Sequence, residues 1–310
     1  MLECSSYIMS PIPEQRKGER YIYLNSILWA FFPVVTVLTY NSIGSAISLL
    51  WTDILATVLF AALMLHRRKW GELRSALLWK YGLLAALFIW VLYYSLVFIA
   101  LEFTSPGNVA IIALLEVFTT FLVFNVYEKE SFSAEHTLGS ILMVAGACIV
   151  LVRDFSGLNI GDLFVLAAVW FSPWGNVYQQ RARKLFSSES IMFVRSLLSI
   201  PALAVLAYVL GQHASFDDLR ASLPFLLING ILLLGLSKLF WIEAIHRISV
   251  TKGVALSSIT PFLTLMIAWV VLGLSPNLWQ VISLVPLTIG VLLLTGHLKL
   301  SRSNGTFQHS

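Results

Sequence analysis

The chain has 310 residues, 58% of them hydrophobic and only 12% charged, about half the charged content of an ordinary soluble protein. Its mean hydropathy is +0.84, and the apolar residues fall in long runs, where about 20 suffice to cross a hydrocarbon core of roughly 30 Å. A soluble globular domain is excluded, and the net charge of +4 reads as an orientation signal rather than as attraction to nucleic acid.

In chain order, residues 1–20 form a polar segment ending PEQRKGER. No small-residue cleavage site follows the first apolar run, so that run is read as an uncleaved anchor. Ten runs follow, at 21–40, 46–65, 78–101, 106–127, 136–152, 162–180, 189–210, 223–246, 253–273 and 277–297. The fold class expected is an all-α integral membrane protein of ten transmembrane helices. Residues 21–152 would carry the first five and 162–297 the second five, with a polar tail at 298–310. With the N-terminus placed in the cytoplasm, 16 Lys and Arg fall on the cytoplasmic side and only Arg153 and Arg220 outside. That bias puts both termini in the cytoplasm of a cell inner (plasma) membrane protein. The runs HRRK and RARK are part of the same signal.

The two cysteines, Cys4 and Cys148, lie in different environments and are not expected to pair. The six histidines are scattered without metal-ligand spacing, so no metal and no cofactor is expected. Asn304-Gly305-Thr306 fits a glycosylation acceptor but falls in the cytoplasmic tail.

The halves repeat. NVAIIALLEVFTTFLVF from Asn108 aligns with GVALSSITPFLTLMIAW from Gly253 at an offset of 145, pairing Val109 with Val254 and Ala110 with Ala255. Trp29 and Trp170 hold similar places in the first span of each half. Five spans per half is an odd number, so the second half must lie inverted relative to the first. Inverted repeats of this kind build their sites at the bilayer midplane and favour alternating access.

FIALEFTSPGNVAIIALLE and IEAIHRISVTKGVALSSITPFLTLMIAWVVLG carry a resemblance to the EamA family of the drug/metabolite transporter superfamily, over nearly the whole chain. The resemblance implies ten helices in two inverted repeats, and metabolite transport. Pro261 and Arg195 match the family pattern in the second half. In the first half Glu116 stands where proline is usual, and Asp53 where arginine is.

Two charges lie deep inside spans. Glu116 is about ten residues from either end of its run, hence roughly 15 Å from each surface. Lys238 sits about 5–7 Å nearer the cytoplasm. They are expected to offset each other across a central cavity, either as a structural ion pair or as groups that meet a substrate. A carboxylate and an ammonium together suit an amino acid, and Glu116 is equally a candidate carrier of a coupling proton. Trp90 and Tyr94 share one face of span three; Trp170, Trp174 and Tyr178 share one face of span six; Trp241 is one turn beyond Lys238. Trp90, Tyr94, Trp170 and Trp241 join Glu116 and Lys238 as candidate substrate-binding residues, against the alternative of helix packing and interfacial belts. Asp53 and Arg195 read as a pair or structural cap, Glu102 and Glu243 as span-end residues within reach of water. Pro33, Pro173 and Pro261 are expected to interrupt helices.

The function expected is secondary transport, outward, of a small metabolite such as an amino acid or related amine. The alternative is an integral-membrane enzyme or lipid scramblase, but no GxSxG, HExxH or clustered-aspartate motif supports enzymatic chemistry. The partners expected are a small-molecule substrate, protons as a coupling ion, and the bilayer.

Overall fold

In a computed structural model, residues 12–128, 134–151, 159–295 and 298 are described, and all regular structure among them is helical. Cys4 and Asn304-Gly305-Thr306 lie outside the described residues. Ten helices follow in order: α1 Ile12–Thr39 and α2 Ser45–His66; α3 Ala76–Ala100; α4 in two pieces, Pro106–Ala113 and Leu115–Glu128; α5 Ala134–Leu151. The second set is α6 in two pieces, Ile160–Ala168 and Ser172–Arg183; α7 Ser188–Val209; α8 Phe216–Ile245 and α9 Val250–Leu272; α10 Leu278–Leu294. Eight are long and apolar enough to span a bilayer, while α5 and α10 are shorter. The protein is an all-α membrane protein of ten helices in two inverted repeats.

The repeat is visible in the backbone itself. Within α3, residues Ala86–Tyr94 wind as a π-helix, and Ile228–Leu236 do the same within α8, each over nine residues. These two wide turns lie 142 positions apart. The α4 helix breaks at Leu114 and α9 at Ser257–Ile259, again at matching places. Pro261 follows the second break, but no proline marks the first. Pro173 likewise opens the second piece of α6, whereas Pro33, contrary to expectation, sits inside an unbroken α1.

Helices in lipid gain little from apolar burial against one another, because the tails are as apolar as leucine; close approach and polar contacts hold them together. A close crossing joins α5 and α10. A Cβ added at Gly290 would stand 2.8 Å from the Gly139 carbonyl oxygen, and one at Gly146 would stand 2.5 Å from the Leu287 side chain. The two shorter helices are thus paired through glycine. Elsewhere α1 packs on α8 and α9, α2 on α7, and α3 on α6 and α7, so the two repeats interlock rather than sit side by side. Hydroxyls and amides stitch the same seams: Thr264 donates to the Ala30 carbonyl at 3.0 Å, Asn229 to Thr36 at 3.0 Å, and Ser237 to Asn25 at 2.8 Å. The break in α6 frees the Val169 carbonyl, which accepts from the Thr119 hydroxyl at 2.8 Å. Broken backbone at membrane depth needs such a partner.

One end of the bundle is cross-linked by charge. Glu243 accepts from Arg183 at 2.8 Å and from Arg247 at 2.5 Å, and Arg247 reaches Glu14 at 2.9 Å. Lys252 pairs with Glu19 at 2.6 Å, and Arg67 pairs with Glu189. The N-terminal end of α1 and the C-terminal end of α6 therefore meet at the same end, which is what inversion requires. Glu72, in the loop after α2, accepts from the Ser187 backbone N–H at 2.9 Å and hydroxyl at 3.0 Å. Burial works against its charge, but these hydrogen bonds and the Ser190 hydroxyl outweigh it and hold the carboxyl below its usual range. At the opposite end the bonds are uncharged at one partner: Asp162 accepts from Thr104 at 2.5 Å and from Asn108 at 3.2 Å, and Glu102 accepts from the Ser45 N–H at 2.9 Å.

Candidate functional site: a two-lobed cavity between the repeats

Helices from both repeats enclose a cavity with two adjoining lobes that share Trp29, Tyr93, Glu116, Val254 and Ser257. One lobe is walled mainly by apolar residues such as Phe32, Val97, Val109, Val117 and Pro261. The other, the polar lobe, takes in the polar side chains of Asn25, Ser172, Asn176, Gln179, Arg195 and Lys238.

The break at Leu114 explains how an acid comes to stand there. Glu116 lies in the first turn of the second piece of α4, where unpaired N–H groups and the helix dipole favour a negative charge. It accepts hydrogen bonds from the Ser172 hydroxyl and, at 3.4 Å, from Asn176. Lys238 opens the segment of α8 that follows the π-helix. Its ammonium sits 3.1 Å from the centre of the Trp29 ring, within cation–π range. Both charges line the polar lobe, but no ion pair joins them among the described residues. Of the two readings the sequence left open, the direct ion pair is not formed, and each charge has other partners around the same cavity.

Those partners form a connected chain along one face of α6. Ser172, Asn176 and Gln179 are spaced four and three apart, one stripe of a helix. Asn176 donates to Ser172 at 3.2 Å and accepts from the Trp241 indole at 3.0 Å; Gln179 donates to Asn176 at 3.2 Å. Arg195 donates through Nη1 to Gln179 at 2.7 Å. A continuous polar relay thus runs from the half-buried Glu116 to Arg195 through the buried Ser172, Asn176 and Gln179.

Of the six candidate residues from the sequence, Glu116, Lys238, Tyr94 and Trp241 line the polar lobe. Trp90 does not. It is fully buried behind Tyr94, 5.0 Å away by ring centres, with the Arg195 guanidinium 5.5 Å from its ring. Trp170 is a plain correction: it is 46% exposed, on the outward side of α6. The aromatic stripe Trp170–Trp174–Tyr178 and the polar stripe Ser172–Asn176–Gln179 are on opposite sides of that helix, and the polar one faces the cavity. Sequence reasoning missed Ser172, Asn176, Gln179 and Trp29. The signal was present as three polar residues at helical spacing inside a membrane run, which is costly unless they face a cavity or partners. Asp53 and Arg195 form no ion pair with each other among the described residues. Asp53 accepts from Ser199 at 2.5 Å, and Arg195 turns to Gln179 and the cavity.

Ten membrane helices in inverted repeats around a buried polar cavity define a membrane transporter by architecture. The EamA-like transporter family model matches residues 16–152 and 159–296, and the chain belongs to that family. A solved crystal structure described simply as that of a protein is similar at 18% identity with a TM-score of 0.68, covering 91% of this chain and 97% of that one. At that identity the likeness concerns the fold. No curated protein matches the chain.

Proposed function

We propose that the protein is a secondary transporter that exports a small metabolite, an amino acid or related amine, by alternating access between its repeats. The observation that carries this reading is that Glu116 and Lys238, one from each repeat, line the same buried cavity without pairing with each other. Removing charges from water costs several kcal/mol per ion, and a ligand that brings a complementary ammonium and carboxylate offsets that cost when it binds. Glu116 serves also as the group that would carry a coupling proton.

The excess of Lys and Arg at the ion-paired end supports placing that end, and both termini, in the cytoplasm of an inner-membrane protein. Opening toward that side would break the Arg183–Glu243–Arg247 bridges. Cysteines placed at His213 and Lys184, both outside the cavity, test the orientation: an impermeant thiol reagent should label only His213→Cys in intact cells. Labelling of Lys184→Cys alone would invert it.

The test of the site is Glu116→Gln combined with Lys238→Met, assayed for melting temperature and for efflux of amino acids from proteoliposomes. A stable double variant without transport supports the reading. Full transport by that variant sinks it and leaves the two charges as structural.

A further inference from the structure

The guanidinium of Arg195 is buried to 1% exposure and lines the polar lobe. Nη1 is occupied by Gln179, yet Nε and Nη2 have no hydrogen-bond partner. Asp53, on α2, directs Oδ2 to Ser199 and makes no ion pair with it. Two buried, charged N–H donors without acceptors are costly, and this pair is the edge of a guanidinium whose N–H bonds run parallel in one plane. That edge fits the two oxygens of a carboxylate side-on.

Its placement is firmly held. A Cβ at Gly82 would stand 2.5 Å from the Val194 side chain, so the absence of one lets α3 approach α7 closely beside Arg195. Trp90 covers one side of the guanidinium at 5.5 Å. The group is held for planar contact at an edge that no protein atom uses.

We propose that Arg195 is the carboxylate anchor of the transport site, and that the substrate class is an organic carboxylate carrying an ammonium and an apolar body. The carboxylate lies on Nε and Nη2 of Arg195, with Lys238 adding charge. The ammonium lies at Glu116, and the apolar body extends past Trp29 into the lobe walled by Phe32, Val97 and Pro261. This rests on the transporter reading and sharpens it, because it assigns the substrate's acidic end to a residue other than Lys238.

The experiment is calorimetric titration of the purified full chain with L-phenylalanine, its amide, phenethylamine, 3-phenylpropanoate and phenyl phosphate. Wild-type protein should bind L-phenylalanine about tenfold or more tightly than the amide or the amine, the scale of a lost charge-assisted pair of hydrogen bonds. Arg195→Gln should remove that preference while keeping phenethylamine binding, and Glu116→Gln should do the reverse, sparing 3-phenylpropanoate. Equal binding of acid, amide and amine overturns the Arg195 assignment and leaves a transporter of amines standing. Tighter binding of phenyl phosphate than of 3-phenylpropanoate overturns the carboxylate. Binding of none of the five overturns both this inference and the amino-acid reading. If Arg195→Gln does not fold, the wild-type comparison of acid with amide and amine decides alone.

Discussion

The two repeats share a backbone and differ in the side chains that matter. Both carry a nine-residue π-helix in the third span and a broken fourth span. π-turns recur at functional sites, and here each lies within a helix that lines the cavity. Yet where the first repeat has Glu116, the second has Pro261; where the first has Asp53, the second has Arg195; Trp29 stacks on Lys238, while Trp170 faces outward. Symmetry built the cavity and divergence gave it polarity. The first repeat supplies the acid, and the second supplies both cations and the polar stripe of α6.

The largest expected effect is at the diverged charges. Glu116→Gln should lower transport by about tenfold to a hundredfold, the range for losing a charged hydrogen-bonding partner worth about 1.5–3 kcal/mol, without loss of fold. Measured efflux within twofold of wild type would mean that the acid plays no part in transport. Next come the two tryptophans. Trp29→Ala removes a half-buried cation–π contact with Lys238 worth about 1–2 kcal/mol and should lower the melting temperature, whereas Trp170→Ala should leave it unchanged. Equal losses at the two positions would erase the asymmetry described above.

The shared backbone makes its own predictions. Gly290→Val should lower the unfolding free energy by about 1–3 kcal/mol, the usual cost of forcing atoms into a filled contact, read as a drop in melting temperature. Pro261→Ala should cost less, about 0.4–1 kcal/mol through greater freedom of the unfolded chain, and should keep the break in α9. The reason is that α4 breaks at Leu114 without a proline. A straightened α9 in that variant would show that the two breaks have different causes. The smallest effect belongs to Glu72, whose carboxyl is held below its usual range in the folded protein. A lowered folded pKa stabilises above the unfolded value, and that contribution is lost as pH falls through the folded one. Glu72→Gln should therefore lower the melting temperature slightly at neutral pH, where that contribution is present. It should have least effect below about pH 4.5, where the contribution is already being lost, so that the acid limb of the melting curve flattens.

The sequence by itself determined the number of spans, the inversion of the halves and the placement of Glu116 and Lys238 inside spans of opposite repeats. These follow from hydrophobic run length and charge placement, which act residue by residue whatever the neighbours are. It also marked Tyr94 and Trp241 as cavity residues. Which side of a helix faces inward was not legible in the same way. On α6, an aromatic stripe and a polar stripe were equally periodic, and only the packing of α6 on α3 and α4 turned Ser172, Asn176 and Gln179 inward and Trp170 out. The partners of each buried charge were likewise decided by tertiary structure. Hydrogen bonding and cation–π contact depend on distances of a few ångströms between helices far apart in the chain. Such distances gave Glu116 to Ser172, Lys238 to Trp29, and left one edge of Arg195 without a protein partner.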